Sequence, residues 1–150
     1  MIAYPDTSFL CALYVAQSTS AAAIAHYQGM KEPLAVSVLL LGEFRQSVRL
    51  QIFRNSRDAT QGYPRKAGVA ALANLESNLD TGALVTVSTE WADVIHVAER
   101  ISAQQTIEGG HRYLDVLHVA TAVHLGAVEF LTFDANQRKL AVAEGLAVKL

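Results

Sequence analysis

Short apolar segments that alternate with longer, helix-like segments most constrain the fold of this 150-residue chain. Short apolar runs bounded by turn-forming residues are typical of buried strands, whereas apolar residues repeated every three or four positions are typical of helices. The predicted strands span residues 2–4, 34–36, 84–87, 128–133 and 147–150. The predicted helices span residues 8–15, 20–28, 38–53, 65–79, 89–104, 112–125 and 136–144, with Ser37 and either Ser88 or Thr89 as N-caps. Strands that alternate with helices and are apolar on both faces predict an α/β fold, with a central parallel β-sheet flanked by α-helices.

The composition indicates a single folded domain over residues 1–150. Hydrophobic residues make up 51% of the chain and charged residues 17%, which excludes a disordered or coiled-coil sequence. The formal net charge is −2, so we expect no general attraction to nucleic acid. Any contact with RNA must therefore use local basic patches or bound metal ions. The candidates for phosphate contacts are Arg45, Arg49, Arg54, Arg57, Arg138 and Lys139.

The single cysteine, Cys11, excludes an intramolecular disulfide and favours a reducing compartment. It lies in the apolar run from Phe9 to Leu13, where a small core residue is favoured over a nucleophile. The chain starts without a basic segment, which argues against a signal peptide. No apolar run reaches the ~18 residues of a membrane-spanning helix, so we expect a cytoplasmic protein without a membrane partner.

Two aspartates directly follow predicted strands. Asp6 comes after the first strand in IAYPDTSFL, and Asp134 comes after the fourth strand in EFLTFDAN. The carboxyl ends of parallel strands meet at one rim of a sheet, where the binding sites of open α/β folds form. We therefore expect both carboxylates on the same rim, although each aspartate is also a common N-cap for a following helix.

Two further carboxylates stand within apolar helical segments. Glu43 lies in SVLLLGEFRQSV, and Asp115 lies in HRYLDVLHVATAVHLG. A carboxylate on a buried helix face is costly unless it is paired with a cation. The spacing offers Glu43 no suitable cation on its own helix, whereas Arg112, three residues before Asp115, is a candidate ion-pair partner.

These four acidic residues together predict a site for a hard divalent cation. Clustered carboxylates repel one another unless a cation neutralises them, and Mg²⁺ and Mn²⁺ prefer oxygen ligands. Such ions activate water and stabilise the leaving oxygen of a phosphodiester. Metal-dependent hydrolysis of a phosphodiester bond is therefore the predicted chemistry.

The segments DTSFL, GEFRQSV, YLDVLHVATAVHLGAVEFLTFD and ANQRKLAVAEGL resemble the PIN-domain family, especially the VapC-type ribonuclease toxins. The D-x-x-H-x-A-x-A helix followed by LTFD is the most specific part, and the likeness spans essentially the whole chain. The resemblance implies a PIN-like fold and Mg²⁺- or Mn²⁺-dependent endonucleolytic cleavage of single-stranded RNA. The metal-binding and catalytic residues that it implies are Asp6, Glu43, Asp115 and Asp134.

The resemblance also implies substrate contacts and partners. Ser8 and Thr132 match small polar positions beside the site, and Arg45 and Arg49 join them as candidates for substrate binding. A homodimer and a small cognate antitoxin of the VapB type are the implied partners, as in a type II toxin–antitoxin pair. The polar segment 49–64 departs from the family pattern and is interpreted either as a mobile clamp or as a dimerisation feature. No role is assigned to His111.

Other functions are less consistent with the residues. A catalytically silent PIN-like module that binds RNA or a partner is the main alternative, but it leaves the buried carboxylates unexplained. The five histidines show no zinc-type spacing, and His118, three residues after Asp115, either orients that carboxylate or fills the helix face. A haloacid dehalogenase-type phosphatase needs a second aspartate where this chain has Ser8, and no phosphate-binding glycine motif is present.

Overall fold

Four short strands alternate with seven helices in the computed structural model, which describes residues 3–150. The strands are β1 (Ala3–Pro5), β2 (Leu34–Val36), β3 (Leu84–Thr86) and β4 (Glu129–Leu131). The helices are α1 (Thr7–Tyr14), α2 (Ser20–Gly29), α3 (Val38–Arg57), α4 (Arg65–Asp80), α5 (Trp91–Gly109), α6 (Tyr113–His124) and α7 (Ala135–Ala143). The predicted α/β class is therefore confirmed. Ile2, which was assigned to the first strand, lies outside the described residues.

The strands form two parallel pairs, β1 with β4 and β2 with β3, and β1 packs beside β2. No backbone ladder joins β1 to β2 among residues 3–150. The Asp6 N–H donates to the carbonyl of Leu131, the last residue of β4, at 3.0 Å. Backbone groups of successive strand residues point to opposite sides, so the backbone nitrogen of Pro5 faces β2. Because proline has no N–H, Pro5 cannot donate a ladder hydrogen bond to β2. The predicted central parallel sheet is therefore present as two paired halves.

The prediction of a strand over residues 147–150 is wrong. Only Ala147 pairs with β4: its carbonyl accepts from the Phe130 N–H at 2.8 Å, and its N–H donates to the Val128 carbonyl at 3.0 Å. The bridge is parallel, so β4 still offers Phe130 and Leu131 beside the next two residues. The final residues of the chain nevertheless leave the edge of β4 after Ala147 and make no further ladder hydrogen bonds within residues 3–150.

Two helix boundaries also differ from the predictions. α3 was predicted to end at residue 53 but continues to Arg57, because the polar residues after Phe53 form its last turn, and arginines there favour a helix C-terminus. α5 has Glu90 as its N-cap residue, without a capping side-chain hydrogen bond, so the proposed caps Ser88 and Thr89 are wrong. The cap predicted at Ser37 is confirmed, since its hydroxyl accepts from the Leu40 N–H at 3.2 Å.

The core lies between the strands and the helices that cover them. Its largest fully buried side chains include Tyr4, Phe9, Phe44 and Phe130, which come from β1, α1, α3 and β4. Cys11 is buried in this core, and burial raises the pKa of its thiol to about 11, as expected for a core residue rather than a nucleophile. Within residues 3–150, no helix is both long enough and apolar enough to span a membrane.

Candidate active site

Asp6 is the most deeply buried carboxylate of the site. It follows β1 as the N-cap residue of α1, and its Oδ1 accepts from the Phe9 N–H at 2.9 Å and from the Ser8 hydroxyl at 2.7 Å. Its Oδ2 accepts from the Thr132 hydroxyl at 2.6 Å. Burial raises the pKa of Asp6, although these three hydrogen bonds act in the opposite direction. The fold therefore holds this carboxylate rigidly at the end of β1.

Asp134 lies on the same rim, beyond the end of β4. Its Oδ1 accepts from the N–H groups of Asn136 and Gln137 at 2.8 and 2.9 Å, so it caps α7. Its own N–H donates to the Thr132 hydroxyl at 2.9 Å, and that hydroxyl in turn donates to Asp6. Thr132 therefore links the two aspartates. Both aspartates are N-caps, and both lie on the same rim of the strands, as the sequence predicted.

Ser8 makes a second link across this rim. Its hydroxyl donates to Asp6 and accepts from the Phe133 N–H at 2.8 Å. Thr132, the other residue predicted beside the site, is fully buried. Both hydroxyls therefore hold Asp6 in place.

Glu43 projects from α3 towards the same region and is only partly buried, with 26% of its side chain exposed. The sequence suggested an apolar environment on most sides, but Val38 and Gly42 are exposed and open one side of the helix. Its Oε2 accepts from the Thr7 hydroxyl of α1 and lies 2.6 Å from His118 Nε2 of α6. Burial by itself raises the pKa of Glu43, but the hydrogen bond and charge of His118, together with Thr7, outweigh it and lower the pKa.

His118 and Thr7 are partners of Glu43 that sequence reasoning missed. The His118 ring is fully buried and contacts Glu43, whereas the sequence related it only to Asp115 on its own helix. His118 is three residues after Asp115 and therefore lies on the same face of α6. This spacing was the one feature of the sequence that could have placed His118 at the site. Thr7 follows Asp6 directly, so α1 supplies partners to two different carboxylates.

Asp115 lies in the first turn of α6 and is buried beside a largely exposed arginine. The Arg112 Nε donates to Oδ2 of Asp115 at 3.1 Å, and a terminal guanidinium nitrogen donates to Oδ1 at 3.4 Å. Hydrogen bonding and charge from Asp115 raise the pKa of Arg112, and the charges of Asp134 and Glu43 act in the same direction. Arg112 therefore interacts with three of the four carboxylates.

The family model of the PIN domain matches residues 3–143. This chain belongs to the PIN-domain family. Among solved structures, this PIN domain is similar to Mycobacterium tuberculosis VapC20, a sarcin-ricin loop cleaving toxin, with a TM-score of 0.59 and 20% identity over 97% of this chain and 96% of that one. It is also similar to FitAcB from Neisseria gonorrhoeae, with a TM-score of 0.61 and 18% identity over 99% of this chain and 96% of that one. Comparison with curated protein sequences gives no match.

The two arginines predicted to bind substrate have different surroundings in this PIN domain. Arg45 donates to Glu76 of α4 from Nε at 3.0 Å and from a terminal nitrogen at 2.8 Å. Arg49 is exposed and lies further along α3, beside Phe53 and Arg65. Arg45 is therefore engaged within the fold, whereas Arg49 faces solvent.

The four carboxylates of this PIN domain are not gathered around one point. Within residues 3–150, no three acidic, histidine or cysteine side chains lie close enough to hold one metal ion. Thr132 links Asp6 to Asp134, whereas Glu43 is held by Thr7 and His118, and Asp115 is paired with Arg112. Carboxylate oxygens on one rim suit Mg²⁺ or Mn²⁺, which prefer hard oxygen ligands. The donor chemistry therefore fits a divalent cation.

Proposed function

We propose that this PIN domain is a Mg²⁺- or Mn²⁺-dependent endoribonuclease that cleaves phosphodiester bonds in single-stranded RNA. The observation that carries the proposal is the pair of strand-end carboxylates, Asp6 and Asp134, which Thr132 links on one rim. The proposed metal-binding and catalytic residues are Asp6, Glu43, Asp115 and Asp134, which lie in or next to four different elements. Asp6 and Asp134 directly follow strand ends, and Asp115 lies in the first turn of α6. Glu43 comes from the middle of α3 and is held by residues of α1 and α6.

Three of the carboxylates have distinct parts in the proposed site. Asp6 is fixed by three hydrogen bonds and anchors the metal-binding side of the rim. Glu43 has a lowered pKa, so it is ionised at neutral pH and available to a cation. Asp115 accepts from the Arg112 guanidinium in the metal-free protein; it would hold the cation in place of that contact, and Arg112 would then neutralise a substrate phosphate. A bound Mg²⁺ or Mn²⁺ supplies activation of water and stabilisation of the leaving oxygen.

The residues predicted to bind substrate divide into two groups. Thr132 is fully buried, so it supports Asp6 instead of contacting substrate, and Ser8 supports the same carboxylate. Arg49 is exposed and is the proposed contact to phosphates of the RNA strand. Arg45 takes part only if it leaves Glu76, since both of its described hydrogen bonds are made to that carboxylate.

We further propose that the chain is the toxin of a type II toxin–antitoxin pair in the cytoplasm. Its structural likeness to VapC20, a toxin, supports this assignment. The proposed partners are a second copy of this chain and a small cognate antitoxin of the VapB type. Co-expression with the neighbouring open reading frame, followed by purification through a tag on this chain, tests for the antitoxin.

The activity is tested on purified protein with labelled single-stranded RNA and Mn²⁺. We expect cleavage that EDTA abolishes, and a loss of at least ~100-fold in the Asp115→Asn variant, because a neutral amide binds a cation far more weakly. Asp80→Asn is the matched control, since Asp80 is exposed at the end of α4, away from the rim. Full activity in Asp115→Asn contradicts the proposal. RNA binding without cleavage in either metal supports the alternative, a silent binding module.

A further inference from the structure

Half of the basic residues of the chain are concentrated in one segment. Six of the 12 lysines and arginines lie between residues 45 and 66, where Asp58 is the only acidic residue. These six are Arg45, Arg49, Arg54, Arg57, Arg65 and Lys66. Since the whole chain carries a net charge of −2, this segment is a local positive region on an otherwise acidic protein. Its natural ligand is therefore an anion.

The end of α3 and the start of α4 form a cavity within this basic segment. The cavity has a volume of about 310 Å³ and is lined by Arg49, Ile52, Phe53, Asn55, Ser56 and Arg65. Phe53 is 54% exposed, and the Arg57 guanidinium carbon lies 5.3 Å from the centroid of its ring. An exposed aromatic ring among arginines is the combination that binds single-stranded nucleic acid, because bases stack on the ring while phosphates meet the charges.

The connection between α3 and α4 is held in shape by its own hydrogen bonds. The Asn55 side chain donates to the carbonyls of Ala59 and Gln61 at 3.2 and 2.8 Å. Gly62 has a φ of +63°, and a Cβ at this position would lie 2.0 Å from the Gln51 carbonyl oxygen, so glycine is required. The surface around Phe53 is therefore preformed rather than a free loop, which lowers the entropic cost of binding.

The same face of α3 connects this surface to the candidate active site. Arg54 and Arg57 follow Glu43 by 11 and 14 positions, which at 100° per residue places them within about 40° of Glu43 around the helix. Leu50, seven positions after Glu43, lies between them, and all three are exposed. At 1.5 Å per residue, the distance from Glu43 to Arg57 along the axis is ~21 Å. Phe53 and Arg49 follow Glu43 by 10 and 6 positions, which places them about 80° and 120° away from it around the helix. An extended strand that leaves the carboxylates along this face therefore reaches Arg57 and turns around α3 to meet Phe53 and Arg49.

We infer that the exposed surface formed by Arg49, Phe53, Arg57 and Arg65 binds the single-stranded RNA several nucleotides away from the cleaved bond. Phe53 stacks on a base, and the three arginines contact phosphates. The inference rests on the proposed ribonuclease function, since it extends the substrate path of that site. RNA is favoured over an acidic protein because the surface combines positive charge with an exposed aromatic ring on which a base stacks.

The test measures RNA binding apart from cleavage. All variants are made in the Asp115→Asn background, and fluorescence anisotropy with a labelled single-stranded RNA of about twelve nucleotides is recorded in EDTA at several salt concentrations. We expect Arg49→Glu to weaken binding about tenfold, because it removes one phosphate contact and adds a repulsive charge. The salt slope, which is the slope of log Kd against log salt concentration, should fall by about the amount that one phosphate contact contributes. Lys31→Glu is the matched control, since it makes the same charge change at another exposed position and is expected to change Kd less than twofold.

Stacking is tested separately from charge. Phe53→Ala is expected to raise Kd about fivefold or more at every salt concentration without changing the salt slope, because stacking releases no counterions. The control is Ile107→Ala, at the most exposed large apolar residue, which is 92% exposed.

Three results overturn the inference. One is equal RNA binding by Arg49→Glu and Lys31→Glu. Another is a size-exclusion profile that changes from dimer to monomer in Arg49→Glu, which assigns the surface to a second copy of the chain. The third is weakened binding of the antitoxin with unchanged RNA affinity. If RNA binding depends on Arg49 but the unsubstituted protein cleaves no RNA with Mn²⁺, the ribonuclease proposal fails and the binding surface stands. If the protein cleaves RNA but its RNA binding does not depend on Arg49, the ribonuclease proposal stands and the binding surface fails.

Discussion

His118 Nε2 lies 2.6 Å from Oε2 of Glu43, which joins α6 to α3 across the candidate active site. The two residues are 75 positions apart in the chain, and the imidazole ring is fully buried. Its Nδ1 atom has no hydrogen-bond partner among residues 3–150, so the one described hydrogen bond of the ring is the Nε2 contact with Glu43. A buried imidazole therefore fixes the one carboxylate of the site that comes from the middle of a long helix.

Replacing His118 should impair activity through the position of Glu43. We expect His118→Ala to lower kcat for RNA cleavage about tenfold or more, because Glu43 loses a partner that fixes its orientation. His118→Gln retains an N–H donor near this position and should recover part of the lost rate. The measurement is single-turnover cleavage in saturating Mn²⁺, with circular dichroism to verify folding. Equal rates for both variants and the unsubstituted protein contradict a positioning role.

Glu43 should make the metal-free protein more stable at neutral pH than in acid. Its pKa is lowered in the fold from the ordinary 4.5, so the unfolded chain binds the proton more readily than the folded one. The stabilisation is fully present above about pH 4.5, the ordinary pKa of a glutamate, and is lost as the pH falls through the lower pKa of Glu43 in the folded protein. The difference in free energy of unfolding between pH 7 and pH 3, measured by urea titration, should be smaller in Glu43→Gln. A larger difference in this variant contradicts the assignment.

Asp6 should have the opposite effect on stability. Burial raises its pKa above the ordinary 3.8, so the folded chain binds the proton more readily, and its contribution falls as the pH rises from 3.8 through the folded value. In Asp6→Asn this loss disappears, so the variant should gain stability relative to the unsubstituted protein as the pH rises from 4 to 7. Urea titrations in EDTA at both pH values measure this change. A variant that loses relative stability over this range shows that the hydrogen bonds of the carboxylate outweigh its burial.

Arg112 should compete with the metal ion for Asp115. Its guanidinium donates to both oxygens of Asp115, so a cation must displace it to reach that carboxylate. We expect Arg112→Ala to bind Mn²⁺ about threefold or more tightly, while RNA cleavage slows, because the charge that neutralises the substrate phosphate is lost. Isothermal titration calorimetry with Mn²⁺ alone and RNA cleavage assays measure the two effects separately.

The matched control for Arg112 is Arg100→Ala. Arg100 also pairs with a buried carboxylate, that of Glu144, at 2.7 Å, but on a different part of the protein. This variant should leave Mn²⁺ affinity unchanged. Weaker Mn²⁺ binding in Arg112→Ala than in Arg100→Ala contradicts competition and instead assigns Arg112 to the support of Asp115.

The sequence by itself determined the order of strands and helices and the rim on which two aspartates lie. Strand ends and N-caps depend on neighbouring residues, so Asp6, Asp134 and the cap at Ser37 were predictable from local pattern. The family resemblance, carried by DTSFL, the helix around Asp115 and LTFD, is confirmed by the PIN-domain match over residues 3–143.

Only the tertiary structure decided how the carboxylates are held. Thr132 bonds to Asp6 across 126 positions, and His118 bonds to Glu43 across 75, and no helical or strand spacing relates such residues. The failed strand at residues 147–150 has a similar cause, because its apolar pattern does not decide whether the chain stays beside β4, and only Ala147 pairs with it. Local pattern fixes which residues reach an end or a face of an element, whereas hydrogen-bond partners depend on how those elements pack.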